Sequence, residues 1–418
     1  MKNDRPAAPP TEEDQKKAKQ LPWFVYLQGG PGFGCGAPQD IPLTEIVLDR
    51  GYQSLYLDQR GTGLSATITS ETLALRGDVQ QQADYLKLFR ADSIVKDCEA
   101  VRKALTDDYP EHLKKWSVLG QSFGGFCVLT YLSKCPQGLR ETFTTGGLAP
   151  IGQSIDAVYK ATFQKVISRN KAYYEKYPED VEAVHEIAYH IKSKGGLRLP
   201  SGTTLTVRLF LTLGINFGFH GGFNTVHDLI LRIKSDLSQF QFLTRPTLTA
   251  LDAEFSFENA VIYAVLHESI YCQRNASDWS AERVGKSLAE FPWLHGSPET
   301  PSVLRERPLL FSGEMIFPFM FKVFPELKTL ASVADILAKF EGWPELYDEW
   351  QLAKNEVPLY SLSYVDDMYV DYGFACETAK KVKGCRHAVT NGLYHNAIKS
   401  KSAEALKLLF ALRDEERD

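Results

Sequence analysis

Short apolar runs alternate with helix-like segments in the first third of the chain. The run Trp23–Leu27 is bounded by a proline and a glycine-rich turn, and similar runs occur at Ser54–Leu57 and Trp116–Leu119. Continuous apolar runs of this length are typical of buried parallel strands. Between the second and third runs, the apolar residues of segment 92–105 recur at helical spacing. The order strand, loop, helix, strand predicts an α/β fold.

The pattern changes at about residue 150. Helical periodicity then dominates as far as Ile230, and a comparable strand signal recurs only at Val357–Ser363, followed by a helix, a short strand and a final helix. The long middle segment is therefore interpreted as an insertion into a sheet domain. We divide the chain into a polar segment 1–20, a first core part 21–149, a mainly helical cap 150–355 and a second core part 356–418.

Composition narrows the class of protein further. The apolar share of 44% and the charged share of 24% are typical of a globular chain. A net charge of −5 offers no basic field for nucleic acid or an anionic membrane surface. The seven cysteines show no spacing typical of zinc or redox sites, and the first twenty residues contain no apolar stretch that could act as a signal peptide. We therefore predict a cytoplasmic protein without metal, nucleic-acid or membrane partners.

The pentapeptide after the third apolar run carries the clearest chemical signal. Gly120-Gln-Ser-Phe-Gly124 matches the pattern G-x-S-x-G and is followed by apolar residues of a predicted helix. In this motif the serine occupies a tight strand-to-helix turn, where small residues two positions away on either side avoid backbone clashes. The helix N-terminus also favours the negative charge that develops during the reaction. Ser122 is therefore predicted to be a nucleophile, with a simple turn as the alternative.

A serine hydroxyl needs an adjacent base, which is normally a histidine oriented by a carboxylate. In α/β-hydrolases the chain order is serine, acid, histidine, so both partners are expected near the C-terminus. His395 follows the last predicted strand and precedes the last helix. His387 is the competitor, but its position in or at the start of that strand better suits a packed histidine. We predict His395 as the base.

The acid is expected at the end of the strand Val357–Ser363, where two aspartates stand together. Asp367 falls at the turn, and Met368–Val370 behind it is predicted to begin the next helix. Asp366 remains an alternative and Asp371 a weaker one. The competing interpretation of this acidic cluster is a solvated helix N-terminus.

Acyl transfer also requires backbone donors for the oxyanion. One usually comes from the residue after the serine, and the other comes from the loop after an early strand. We predict the N–H groups of Phe123 and Gly30, because two glycines before Pro31 let the backbone approach the substrate closely.

Three segments, in this order and spacing, resemble the prolyl aminopeptidase (proline iminopeptidase) family: Gln28-Gly-Gly-Pro-Gly32, Asp58-Gln-Arg-Gly-Thr-Gly-Leu-Ser65 and Gly120-Gln-Ser-Phe-Gly-Gly125. Segments 366–370 and 392–396 resemble the acid and histidine segments of the family's longer branch, so the similarity spans most of the chain. The resemblance implies an α/β-hydrolase fold with a helical cap. It also implies an enzyme that removes an N-terminal residue, preferably proline, from short peptides without metal or cofactor.

Two features depart from the family pattern. The first loop usually begins with histidine, where this chain has Gln28. Family members also usually carry one or two additional strands before that loop, where this chain has only some twenty polar residues. This second departure predicts a truncated chain.

An aminopeptidase must bind a free ammonium group, which calls for carboxylates at the closed end of a pocket under the cap. The resemblance places a cap glutamate at Glu268, and Glu314 is a second candidate. For Glu268 the alternative is capping or pairing within a cap helix, and for Glu314 a structural function is equally possible. Arg60 could bind a substrate carboxylate, but a structural bond to Asp58 or another acid is favoured. Aromatic residues that could form a flat surface for a pyrrolidine ring are Phe123, Phe255, Tyr263, Tyr271 and Phe317.

The mechanism that follows is a two-step acyl transfer. Ser122 attacks the carbonyl of the N-terminal residue, His395 relays the proton, and Asp367 holds the imidazole in the right tautomer. One alternative is an esterase or amidase with the same triad and no ammonium site. The other is a catalytically inactive protein with the same fold.

Overall fold

The computed structural model describes residues 20–295 and 307–415, so the polar segment predicted at 1–20 lies almost entirely outside the described residues. The strands are β1 Trp23–Leu27, β2 Gln53–Tyr56, β3 Trp116–Gln121, β4 Leu139–Thr145, β5 Leu197–Arg198, β6 Thr204–Leu205, β7 Leu359–Tyr364 and β8 Cys385–Thr390. Six of them form a parallel sheet in the order β2-β1-β3-β4-β7-β8, and β5 and β6 form a separate antiparallel pair.

Helices fill most of the remaining described chain. In the first core part they are α1 Pro42–Leu48, α2 Ser70–Ala74, α3 Val79–Leu86, α4 Ala91–Leu105 and α5 Phe123–Lys134. Between β4 and β7 they are α6 Ile155–Lys176, α7 Asp180–Ser193, α8 Val207–Phe210, α9 Gly222–Phe240, α10 Arg245–Ala253, α11 Val261–Leu266, α12 Ser280–Lys286, α13 Met320–Val323, α14 Pro325–Lys328, α15 Ala331–Ala338 and α16 Glu349–Ala353. The last three are α17 Tyr372–Lys381, α18 Ala397–Ser400 and α19 Ser402–Asp414.

Short 3-10 helices connect several of these elements. They are Pro38–Asp40, Lys87–Phe89, Glu111–Leu113, Pro136–Gly138, Leu211–Gly218, Ser256–Asn259, Glu268–Tyr271 and Pro292–His295.

Both faces of the main sheet are covered by helices. Successive side chains of a strand point to opposite faces, so Phe24 and Val25 of β1 enter different hydrophobic clusters. Val25 packs with residues of α4 and α5, whereas Phe24 packs with residues of α1 and α19. The predicted α/β-hydrolase architecture is therefore confirmed. Within residues 20–295 and 307–415, no helix combines the length and the apolar character needed to cross a membrane.

A further hydrophobic cluster lies in the segment between β4 and β7, around residues such as Phe163, Phe210 and Phe311. Leu73 of α2 and Leu86 of α3 belong to this cluster, although both precede β3 in the chain. The predicted cap segment thus shares its hydrophobic cluster with two helices of the first core part.

Strand β4 was absent from the sequence-based prediction, because its buried positions are largely polar. The hydroxyl of Thr144 lies 2.5 Å from that of Ser361 on β7, and the hydroxyl of Thr145 bonds that of Tyr364. These pairs satisfy buried polar groups that would otherwise destabilise a central strand. A polar sequence can therefore form a strand in the middle of this sheet.

Candidate active site

Ser122 lies in the tight turn between β3 and α5. Its backbone has a φ of 53° and a ψ of −124°, a conformation that few residues adopt. A Cβ atom at Gly120 would lie 2.2 Å from the carbonyl oxygen of Gly124, and one at Gly124 would lie 2.0 Å from that of Leu27. The glycines two positions either side of the serine are thus required by close backbone packing, as the motif predicts.

The two predicted oxyanion donors follow β3 and β1, which are adjacent strands of the sheet. Phe123 is the first residue of α5, and the first N–H groups of a helix have no partner within it. Gly30 follows β1 and has a φ of +130°, which glycine tolerates. Gly29, the other glycine before Pro31, approaches Ser122 so closely that a Cβ atom there would lie 2.9 Å from the serine Cβ.

His395 and Asp367 form a buried pair. Nδ1 of His395 lies 2.8 Å from Oδ2 of Asp367, and only 4% and 2% of the two residues are exposed. The other aspartate oxygen accepts the N–H groups of Tyr369 and Val370 at 2.8 and 3.0 Å. Burial alone would lower the pKa of His395, but the charge and hydrogen bond of Asp367 outweigh it and raise that pKa above the ordinary value. The two N–H groups therefore fix Asp367 in a position from which it can orient the imidazole of His395.

This pair lies at the same edge of the sheet as the serine. Gln121, the residue before Ser122, donates from Nε2 to the backbone oxygen of His395 at 3.5 Å. The serine N–H donates to Thr145 at the end of β4. The next residue, Gly146, is so close that a Cβ there would lie 3.0 Å from His395 Nδ1. The carboxyl ends of β3, β4 and β7 therefore converge, as expected for a site in a parallel sheet.

The alternative acids lie elsewhere. Asp366 points to Lys165, whose Nζ lies 3.6 Å from its Oδ1. Asp371 accepts the N–H of Phe374 and caps α17, which is the helix N-terminus weighed for the acidic cluster. The expectation that Met368–Val370 begins this helix is wrong. These residues form a buried turn that brings two N–H groups to Asp367, and α17 begins at Tyr372.

The competing histidine, His387, lies within β8 opposite Ser361 of β7. Its Nε2 has no hydrogen-bond partner among the described residues, and burial lowers its pKa. No carboxylate contact orients its ring among those residues.

Glu314 lies in the cap near the histidine pair. Its Oε1 accepts the hydroxyl of Tyr263 at 2.9 Å, and the residue is partly buried. Loss of solvation raises its pKa to about 7, an effect that the charge of His395 opposes and that of Asp367 reinforces. The carboxylate of Glu314 thus combines a single described hydrogen-bond partner with electrostatic interaction with the His395–Asp367 pair.

Glu268 has a different environment. Its two oxygens accept the N–H groups of Ser280 and Ala281, at 3.2 and 2.8 Å, at the start of α12. Burial raises its pKa to about 7 even so. Both oxygens are therefore engaged by a helix N-terminus, which is the capping alternative weighed for this residue.

Ring contacts link three of the predicted aromatic residues. Tyr263 and Tyr271 flank His267, with ring centroids 4.9 and 6.3 Å from it. Phe123 contacts Phe126, whose ring centroid lies 5.8 Å from that of Tyr271. The remaining two lie in the cap: Phe317 stacks on Phe319, and Phe255 is buried in the cap cluster.

Arg60 forms a structural pair with Asp97 rather than with Asp58. Its Nε and Nη2 donate to the two carboxylate oxygens at 2.7 and 2.6 Å. Asp58 accepts the N–H groups of Cys35 and Leu64, which hold the first two glycine-rich loops together.

Comparison with known proteins gives consistent matches. The family model described as serine aminopeptidase, S33, matches residues 41–186. The chain is 44% identical to the proline iminopeptidase aneH of Aspergillus aculeatus, over 96% of this chain and 86% of that protein. It is 40% identical to a proline iminopeptidase of Aeromonas sobria, over 94% and 88%. A solved proline iminopeptidase structure from Mycobacterium smegmatis matches 94% of this chain and 90% of its own at 14% identity and a TM-score of 0.44.

Proposed function

Because the chain belongs to the proline iminopeptidase family, we propose that it is a serine aminopeptidase that releases N-terminal proline, or another small apolar residue, from short peptides. The observation that supports this proposal most directly is the buried pair of His395 and Asp367 beside the strained turn of Ser122. Its substrate partner would be a short peptide with a free N-terminus.

The proposed reaction passes through an acyl-enzyme. His395, held by Asp367 through Nδ1, accepts the proton of the Ser122 hydroxyl at Nε2 as the serine attacks the carbonyl carbon. The N–H groups of Phe123 and Gly30 stabilise the oxyanion, and Gly29 keeps this loop close to the serine. The protonated histidine then passes its proton to the leaving amine, and water hydrolyses the ester with the same groups.

In this proposal Glu314 binds the substrate ammonium. Its carboxylate has one described hydrogen-bond donor, the hydroxyl of Tyr263. The charges of His395 and Asp367 both affect its pKa, so Glu314 lies near the reacting groups. Glu268 was predicted alongside it, but both of its oxygens already accept helix N–H groups. We therefore assign the amine contact to Glu314 and a helix-capping function to Glu268.

We also propose that the enzyme works in the cytoplasm. Its seven cysteines are free thiols, which persist in a reducing compartment. Recovery of the native protein from the cytoplasmic fraction would support this, and recovery from a secreted fraction would contradict it.

The test uses a proline anilide, an alanine anilide and a simple acyl ester, each with the wild type and with Ser122→Ala. We expect proline release that Ser122→Ala abolishes. Cleavage of the ester alone would support an esterase or amidase instead. A folded protein inert on all three substrates would support a non-catalytic form.

A further inference from the structure

A short segment of the cap lies against the loop that carries His395. This segment, residues 217–220, comprises the last two residues of the 3-10 helix Leu211–Gly218 and the two residues that follow it before α9, and we call it the clamp segment. The backbone N–H of His395 donates to the carbonyl oxygen of Gly218 at 3.3 Å. The catalytic loop runs between β8 and α18, outside the ladder of the sheet, so contacts of this kind determine its position.

His220 bonds the residues on both sides of His395. Its backbone N–H donates to Oδ1 of Asn396 at 3.0 Å, and its Nε2 lies 3.2 Å from the backbone N–H of Tyr394. Because a backbone N–H can only donate, Nε2 of His220 must be the acceptor, which requires a neutral ring with its proton on Nδ1. One cap residue thus holds the chain immediately before and immediately after the proposed base.

Ring stacking adds a second link between the clamp segment and the imidazole. Phe219 stacks on Tyr369 with ring centroids 5.2 Å apart, and Tyr369 stacks on His395 at 4.3 Å. A Cβ atom at Gly218 would lie 2.3 Å from the Tyr369 ring, so a glycine there permits this close packing. The face of the imidazole is therefore supported through Tyr369 by the cap.

Arg169 of α6 anchors the clamp segment itself. Its Nε and Nη2 both donate to the backbone oxygen of Phe217, at 3.2 and 3.0 Å. Its guanidinium also lies 5.1 Å from the centre of the Tyr394 ring. The clamp segment is thus fixed to a long cap helix.

We propose that His220 is a positioning residue for the reaction: through Tyr394 and Asn396 it holds the loop from which His395 presents its imidazole to Ser122. This inference rests on the proposed serine-hydrolase function. It makes the cap part of the catalytic geometry as well as a cover for the substrate.

Because Nε2 of His220 accepts this hydrogen bond, the contact between His220 and Tyr394 is sensitive to acid. Protonation of His220 would place a hydrogen on Nε2 and remove the acceptor for Tyr394. The charged groups that act on His220 are Lys401 and Glu404 near the start of α19, and Arg169 of α6 lies over the ring of the neighbouring Tyr394. Burial and then Lys401 lower the pKa of His220, while Glu404 raises it, and the net direction is down. The hydrogen bond from Tyr394 to His220 is therefore intact at neutral pH and is lost as the pH falls below the ordinary range of imidazole pKa values.

Two variants separate the acceptor from the bulk of the side chain. His220→Gln offers a carbonyl oxygen at a similar distance along the side chain and does not titrate, whereas His220→Leu has no acceptor. The matched control is His190→Leu, a change to a partly buried histidine on α7 of the cap. Two readouts are used for each protein: release of proline from proline anilide, and the rate at which a fluorophosphonate labels Ser122.

At about pH 8 we expect His220→Leu to lower kcat and the labelling rate roughly 10- to 100-fold, with KM changed less than about threefold. His220→Gln should stay within about threefold of the wild type, and His190→Leu should be unchanged. At about pH 5.5, His220→Gln should retain a larger share of its pH 8 labelling rate than the wild type does, because only the wild-type clamp titrates.

Equal losses in His220→Gln and His220→Leu would overturn the proposal, since a lost fold rather than a lost acceptor would explain them. Unchanged rates in both variants, or a rise in KM alone, would also overturn it. If the wild type is labelled but releases no proline, the substrate assignment fails while the labelling rates still decide on the clamp. A folded wild type that is neither labelled nor active overturns both.

Discussion

The two cap glutamates that the sequence offers for the substrate amine have similar pKa values and different surroundings. Burial is the main cause that raises the pKa of Glu268 and of Glu314 to about 7. Glu268, however, accepts hydrogen bonds from two backbone N–H groups at the start of α12. Glu314 accepts one hydrogen bond from a hydroxyl group, and the charge of His395 lowers its pKa. A raised pKa therefore marks burial in both cases. Free acceptor capacity near the reacting groups supports Glu314 as the proposed ligand of the amine, and the two helix N–H groups support Glu268 as a helix-capping residue.

The largest effect that would sharpen this comparison is expected from Glu314→Gln. Removing the charge should lower kcat/KM for proline anilide roughly 100-fold, because a buried partner of an ammonium is worth several kcal/mol. Labelling of Ser122 by a fluorophosphonate, which carries no ammonium, should stay near the wild-type rate. The Glu268→Gln variant is the matched control. An equal loss of peptidase activity in the control would show that both glutamates bind the amine.

Glu268→Ala is expected to act on stability instead. Its removal leaves the N–H groups of Ser280 and Ala281 without their buried acceptor, which should lower the free energy of unfolding by about 2 kcal/mol. Urea denaturation measures this change, and kcat/KM of the folded variant should fall less than about threefold. Unchanged stability together with lost activity would reverse the two assignments.

The pH dependence of amine binding should follow Glu314. The carboxyl is ionised above its pKa of about 7 and neutral below it, so its attraction for an ammonium is present at higher pH and is lost as the pH falls. In Ser122→Ala, the affinity for L-prolinamide measured by calorimetry should fall towards tenfold for each unit below that pKa. The double variant with Glu314→Gln should show a flat profile, and the same slope in both proteins would contradict the assignment.

The smallest effect is expected from Tyr263→Phe. The Tyr263 hydroxyl donates to Glu314 at 2.9 Å, and losing this neutral donor should cost about fivefold in kcat/KM. Because the bond stabilises the ionised carboxylate, its loss should also move the midpoint of L-prolinamide binding to higher pH. If the midpoint pH of L-prolinamide binding is unchanged, Tyr263 does not influence the ionisation of Glu314.

The parts of the molecule with a local signature were predictable from the sequence. The strand β1 and the serine turn follow from a short apolar run and from glycine spacing, which depend on nearby residues alone. Strand β4 was not predictable in this way, because its polar residues are satisfied by Ser361 and Tyr364, more than two hundred positions away in the chain. Local patterning cannot reveal a partner at that separation.

The same limit applies to the site. The strand-end position of Asp367 and the C-terminal position of His395 were visible in the sequence, since both follow predicted strands. The stacking of Tyr369 on His395 and the bonds of His220 carry no sequence signal, because they depend on how the cap folds back over the core. The sequence favoured substrate binding over capping for Glu268, whereas the N–H groups at the start of α12 that it accepts favour capping.

The most direct test of the central proposal compares L-proline 4-nitroanilide with its N-acetyl derivative as substrates of the wild-type protein. An enzyme that binds the ammonium group of its substrate should cleave only the compound with a free amine, and Ser122→Ala should cleave neither. Equal cleavage of both compounds would contradict an aminopeptidase with an ammonium site at Glu314.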